Sequence, residues 1–187
     1  MNHKAHVSVL VGVVVLVLCL SGLTLADGIT EAYIYQVGNG NDATIEQSGQ
    51  GNWALQRQQG NHNYGYISQE GHYNRAYAKV IGDDNSVTQS QFGISNYSIV
   101  EISGNHNIVS HSQLPLLIGL GNYAYVQITG DRNSVSQTQS GMLNHSKVQV
   151  SGDGNTVTHI QIGAFLSQEI AVGGNGGKTN VVQMGIF

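Results

Sequence analysis

Glycine recurs every eleven residues along almost the whole chain. The series runs Gly38, Gly49, Gly60, Gly71, Gly82, Gly93 and Gly104, then resumes at Gly119, Gly130, Gly141, Gly152, Gly163, Gly174 and Gly185. One gap of fifteen residues separates the two runs. It is an insertion of four around Leu114–Leu117 and carries the only proline, Pro115. Self-similarity at a fixed short period marks a solenoid or array, in which each unit buries its core against its neighbours.

Asparagine follows three residues after most of these glycines, at Asn41, Asn52, Asn63, Asn74, Asn85, Asn96, Asn107, Asn122, Asn133, Asn144 and Asn155. Gly-x-x-Asn reads as a turn. Glycine supplies positive φ, and asparagine either tolerates the left-handed region or bonds nearby backbone. Between turns lie seven-residue stretches rich in Val, Ile, Thr, Tyr, Ser and Gln, a strand length too short for a helix. They alternate. Asn41, Ala43, Ile45, Gln47 and Gly49 form one constrained face, as do Asn133, Val135, Gln137, Gln139 and Gly141, while the residues between them are mostly polar.

A second beat falls at twenty-two. Two residues before the clock glycines, Gln36, Gln47, Gln58 and Gln69 come every eleven residues. Later, Gln91, Gln113, Gln139, Gln161 and Gln183 alternate with Val or Ile. Two strands therefore make one coil, and like strands stack on like. Placing the insertion in the turn after Gln113 preserves both beats. The predicted fold is all-β: a two-sheet β-solenoid of about seven 22-residue coils, from about Thr30 to Gln183, with amyloid-like cross-β stacking. At ~4.8 Å per strand the column is roughly 34 Å long. The Gln and Asn at repeated inward positions are expected to form amide ladders, each donating to one neighbour and accepting from the other.

Residues 1–26 follow a different rule. A short n-region with Lys4, an apolar run from Val7 to Leu20 and small residues through Thr24 and Ala26 predict a secretory signal peptide cleaved before Asp27. Residues 27–187 are then the solenoid domain. The single cysteine, Cys19, falls in the removed segment, and Leu18 before it does not suit a lipoprotein signal. An exported domain without disulfides needs another source of stability. Neither end of the repeat array shows a helix, proline or charge cluster, so bare strand edges are expected at both ends.

Seven Lys+Arg against eleven Asp+Glu, a net charge of −4, leave no basic footprint for nucleic acid. No nucleophile–base set and no spaced carboxylate pair points to catalysis, so no enzyme, cofactor, metal or small-molecule substrate is expected. Asp83, Asp84, Asp131 and Asp153 sit in Gly-Asp-x-Asn turns, as solvated turn residues or as gatekeepers against aggregation. The nonapeptide pattern of calcium β-rolls is absent. His111 and His159 fall in an inward file with Gln89 and Gln137 and are expected as substitutes for core amides. Tyr64, Tyr66, Tyr73, Tyr77, Tyr97, Tyr123, Tyr125 and Trp53 are expected outward or in turns. An outward threonine array would favour an ice binder, but Thr44, Thr88, Thr138, Thr156 and Thr158 are expected to form no consistent file.

The repeat Gln-x-Gly-x-x-Asn-x-Ala resembles the curlin repeat of bacterial curli subunits. Good copies are Gln47-Ser48-Gly49-Gln50-Gly51-Asn52-Trp53-Ala54 and Gln69-Glu70-Gly71-His72-Tyr73-Asn74-Arg75-Ala76. The resemblance covers roughly residues 30–185. It implies a secreted functional amyloid of the biofilm matrix at the bacterial cell surface. It also implies self-assembly with itself and another curlin subunit, periplasmic chaperones and a dedicated outer-membrane secretion pore. The Gln36–Gln69 run resembles the minor, nucleating subunit. Other features depart from the family. Asp27-Gly28-Ile29-Thr30 leads almost directly into the first strand, without the Gly/Asn-rich pore-targeting segment. Leu166 and Gly177 also replace Asn in the last coils. The alternative classes are a monomeric β-helical adhesin and a carbohydrate-binding or carbohydrate-active solenoid.

Overall fold

The computed structural model describes residues 2–9, 13–19, 30–114 and 120–185. Fourteen strands follow one another from Glu31 to Met184. They are β3 (Glu31–Val37), β4 (Asn41–Gln50), β5 (Trp53–Gln59), β6 (Tyr64–His72), β7 (Arg75–Ile81), β8 (Ser86–Ile94), β9 (Tyr97–Ser103), β10 (Ile108–Leu114), β11 (Tyr123–Thr129), β12 (Ser134–Met142), β13 (His145–Ser151), β14 (Thr156–Ala164), β15 (Ser167–Gly173) and β16 (Lys178–Met184). The even strands from β4 to β16 form one parallel sheet and the odd strands from β3 to β15 the other. Each consecutive pair is one coil, giving the expected seven. Alternating strands in the sequence thus become neighbours in space, the arrangement that the twenty-two-residue beat demanded.

The register is 22 residues wherever the chain is regular, as in Ala43 opposite Gly65 and Val135 opposite Val157. It widens to 26 for Val109 opposite Val135 and Tyr97 opposite Tyr123. The step of four therefore falls after Leu114, and the pairing of the described strands on either side is undisturbed. Pro115 and Gly119 lie outside the described residues.

Burial alternates along nearly every strand. The apolar core is small, built from residues such as Ala43, Ile45, Val87, Val126, Ile128, Val135 and Val157. Amides fill most of the remaining inward positions, with Ser98, His111, Ser146 and His159 among the exceptions. Burial fades in β15 and β16, because nothing stacks on the last coil among the described residues.

Two further strands, β1 (Asn2–Val9) and β2 (Val13–Cys19), lie within the expected export segment. They pair antiparallel with β4 and β3, with Ala5 opposite Ile45 and Val17 opposite Tyr33. In the full-length chain the first coil is thus covered on both sheets, whereas among the described residues nothing covers the last; the bare first edge is expected only of the chain without residues 1–26. Residues 1, 10–12 and 20–29, which include the expected cleavage point, lie outside the described residues.

Candidate functional site

The features that distinguish this solenoid are its polar columns and its open end. In the even sheet, Gln47, Gln69, Gln91, Gln113, Gln139, Gln161 and Gln183 form one continuous file. Each Nε2 donates to the Oε1 of the next coil, at 2.6, 2.7, 2.8, 3.0, 2.8 and 2.9 Å in turn. The second amide hydrogen was not anticipated. It crosses the core to a backbone carbonyl of the odd sheet, as from Gln69 to Trp53 at 3.1 Å and Gln139 to Tyr123 at 2.9 Å. The column therefore joins coil to coil and sheet to sheet. In the odd sheet the same file begins with Gln36 donating to Gln58 at 2.7 Å. It then turns apolar at Val80, Ile102, Ile128 and Val150. This locates the alternation of Gln with Val or Ile in the sequence: one sheet keeps the amide and the other does not.

Two asparagine columns flank the core, one at each turn. Asn41, Asn63, Asn85, Asn107, Asn133 and Asn155 form the first, and Asn52, Asn74, Asn96, Asn122 and Asn144 the second; all are buried. Their polarity opposes that of the glutamines. Asn63 offers both its backbone N–H and Nδ2 to Asn41 Oδ1, at 3.0 and 3.1 Å. Nδ2 also reaches the carbonyl of a clock glycine, as from Asn63 to Gly82 at 2.7 Å. Of the two roles open to these residues, backbone bonding is the one used. Thr30 stands in for Asn in the first coil, with Oγ1 donating to Gly49 O at 3.2 Å. The columns end where the sequence loses Asn: the backbone N–H of Leu166 and of Gly177 makes the last bond, at 3.0 and 2.8 Å.

Gly38, Gly49, Gly60, Gly71, Gly82, Gly93, Gly104, Gly130, Gly141, Gly152, Gly163 and Gly174 all have positive φ. Close stacking adds a second reason for glycine, since a Cβ on Gly71 would lie 2.0 Å from Gly93 O. Gly185 closes the last strand, its N–H donating to Ile162 O at 2.9 Å. The left-handed conformation also recurs two residues after the clock glycines, a position the sequence reading did not single out. Gly40, Gly51, Gly154 and Gly176 occupy it near the ends, and His62, Tyr73, Asp84, Ser95, His106, Arg132, Leu143 and Phe165 occupy it elsewhere.

The acidic turns have a structural role. Asp83 Oδ1 accepts the Asn61 N–H, Asp131 that of Asn105 and Asp153 that of Asp131, at 2.7, 2.7 and 2.8 Å. Asp84 instead lies between His62 and His106, at 3.9 and 3.5 Å. On the outer face of the odd sheet, Tyr97, Tyr123 and His145 stack with ring centroids 5.4 and 4.7 Å apart. Trp53, Tyr77 and Tyr125 share that face. The five threonines fall in three different files, as expected. Thr44, Tyr66, Thr88, Ser110, Ser136 and Thr158 share one outward file on the even sheet. Serine substitution and the four-residue register step hide that file in the sequence; Thr138 and Thr156 belong to neighbouring files.

A family model described as the curlin associated repeat matches residues 30–55. That segment is the first coil with the start of the next, and the register above superposes its Gln, Gly and Asn positions on the coils that follow. Residues 30–55 are thus a match to the curlin repeat, and the later coils repeat their pattern. No curated protein and no solved structure matches it. The curlin repeat and the β-solenoid together fit a curli-type subunit.

Proposed function

We propose that this chain is a secreted structural subunit of curli-type fibres, which grow by head-to-tail docking of one solenoid onto the next and serve the biofilm matrix, adhesion and cell aggregation. The observation that carries this reading is the polarity of the glutamine column. Every Nε2 points toward the later coil, so the column starts with an acceptor and ends with the donor Gln183. The last strands, β15 and β16, are sheet edges, and a strand edge with unpaired backbone groups is a template for another chain. Docking β16 on the β4 of a second copy continues the parallel sheet and sets Gln183 beside Gln47. It also brings Lys178 and Asp42, which occupy the same outward file, next to each other. The first edge is open to such docking only after β1 and β2 leave, which removal of residues 1–26 accomplishes. The role is structural rather than enzymatic, and the partners are other copies of the chain, a second curlin subunit, and the secretion pore and chaperones of a curli system.

The test is to incubate residues 27–187 at micromolar concentration and follow thioflavin fluorescence and fibre diffraction. Sigmoidal growth, shortened by seeds, with a meridional spacing of ~4.8 Å is expected. A chain that stays monomeric with and without seeds overturns the reading. Seeding a major curlin subunit at low ratio separates a nucleator from a bulk polymer.

A further inference from the structure

Two units inside the core use histidine in a way that fibre building does not require. Gln89 Nε2 donates to Ser98 Oγ at 2.7 Å, and Ser98 Oγ lies 2.9 Å from His111 Nδ1. Forty-eight residues on, Gln137 Nε2 donates to Ser146 Oγ, which lies 2.6 Å from His159 Nδ1. All six residues are buried. They belong to a duplicated pair of coils: of the 32 positions from Gly82 to Gln113, 17 recur unchanged from Gly130 to Gln161. The outward positions differ freely, Tyr97 against His145 and Glu101 against Gln149, whereas the Gln–Ser–His unit is kept whole.

The geometry favours the neutral ring. Each serine oxygen accepts from its glutamine, and its own O–H is free to donate to Nδ1, an arrangement that suits a neutral ring with Nδ1 as acceptor. Neither His111 Nε2 nor His159 Nε2 has a partner among the described residues. An imidazolium would place a second hydrogen against the serine and a charge in a core without a counter-ion. His111 on β10 is flanked by Gln89 of β8 and Gln137 of β12 and faces β9 and β11. His159 on β14 is flanked by Gln137 of β12 and Val181 of β16 and faces β13 and β15. No Asp, Glu, Lys or Arg is among the buried residues described, so the inward faces of these elements supply no charge. Burial accordingly pushes His111 down to about 3 and His159, nearer the open end, to about 4.

We propose that His111 and His159 form a proton-operated gate on folding: the coils built from β9 to β16 close only when both imidazoles are neutral, while the first three coils close regardless. The folded state depresses both histidines below their ordinary value of about 6.5. Their neutral-form stability is therefore full above that pH and is lost as pH falls toward 4 and 3. At about pH 5 each site costs the closing equilibrium about 30-fold, and both together on the order of 1000-fold.

The experiment is hydrogen exchange on the full chain at about pH 7.5 and about pH 5, with rates corrected for intrinsic exchange. Protection of residues 97–184 is expected to fall at the lower pH while that of residues 31–94 holds. The double variant His111→Gln/His159→Gln places in the file the residue already found at Gln89 and Gln137, and is expected to remove the difference. The control His62→Gln/His106→Gln, on an exposed turn, is expected to leave it. Independently of any variant, imidazole 15N shifts of the wild-type chain should show His111 and His159 neutral at about pH 5.5 wherever they are folded. Uniform loss along the chain, an unchanged pH dependence in the first double variant, or folded His111 and His159 titrating like the exposed histidines would overturn the gate.

Discussion

Gln91 Nε2 donates to Gln113 Oε1 at 2.8 Å and to the Arg75 carbonyl at 2.9 Å, so one buried amide joins two coils and two sheets. Its Oε1 in turn accepts from Gln69 at 2.7 Å. Gln91→Lys would replace this with an ammonium that cannot accept, in a core with no buried carboxylate among the described residues. Removing a partner from a buried charged or polar network costs about 3 to 5 kcal/mol. Gln91→Leu keeps the volume but orphans groups on both neighbours, at about 1 to 3 kcal/mol each. Urea unfolding should rank wild type above Leu and Leu above Lys, and assembly kinetics should follow that order. Equal stabilities would show that the ladder contributes nothing.

Much of this was legible in the sequence because a parallel solenoid maps sequence period directly onto spatial contact. Gln47, Gln69 and Gln91 share a file for the same reason that they share a spacing, and Asn41, Asn63 and Asn85 likewise. What escaped were relations between different files. The bond from Gln91 to the Arg75 carbonyl joins opposite sheets, and no period encodes it. The Ser98–His111 contact pairs residues 13 apart, a separation unrelated to the clock. The strands β1 and β2 escaped because residues 1–26 read as an export segment, and the wholly apolar Val13–Cys19 carries no alternation with which to predict sheet pairing.

Backbone conformation gives the second prediction, of opposite sign at two turn positions. Ser95 sits at φ 58° and is exposed, in a file where the first coils carry Gly51 at φ 65°. A non-glycine residue there costs about 1 to 2 kcal/mol, and glycine returns part of that as chain entropy. Ser95→Gly should therefore stabilise by about 0.5 to 1 kcal/mol. Gly71→Ala meets the opposite situation, with φ 119° and a new Cβ 2.0 Å from the Gly93 carbonyl oxygen. Neither backbone can give without breaking the stack, and a loss above about 3 kcal/mol is expected. Thermal unfolding of both variants checks the pair of signs.

The outer face of the odd sheet should report alkaline pH. Burial, the hydrogen bond from Tyr125 to Glu101 at 2.8 Å and the negative charge of Glu101 together push Tyr125 up to about 12. The folded value exceeds the ordinary 10, so the associated stability is full below pH 10 and fades as pH rises toward 12. Burial and Glu101 also raise Tyr77. Glu101→Gln should lower both phenols, and a tyrosinate absorbance titration should show the high-pH fraction moving down. A titration curve unchanged by the substitution would remove Glu101 as a cause.

The second coil holds a compensated defect, which yields the sharpest test of packing. Gln56 is buried in a file occupied elsewhere by Ile34, Ala78, Val100 and Val126, and neither its Nε2 nor its Oε1 has a partner among the described residues. The space for it comes from Gly65, where a Cβ would fall 1.4 Å from Gln56 Nε2. The corresponding pairs in later coils are Val100 with Val109, Val126 with Val135 and Val148 with Val157. Gly65→Val alone drives a side chain into the amide and should destabilise strongly. Gln56→Val alone relieves two unsatisfied atoms but leaves a void beside Gly65, so its effect should be small. The double variant restores the valine pair, buries more apolar surface and removes the orphaned amide, a gain of about 2 kcal/mol or more. The four-member cycle should show a favourable coupling of at least ~2 kcal/mol, since the two positions share one space. Additive effects would mean that Gln56 and Gly65 do not compete for that space.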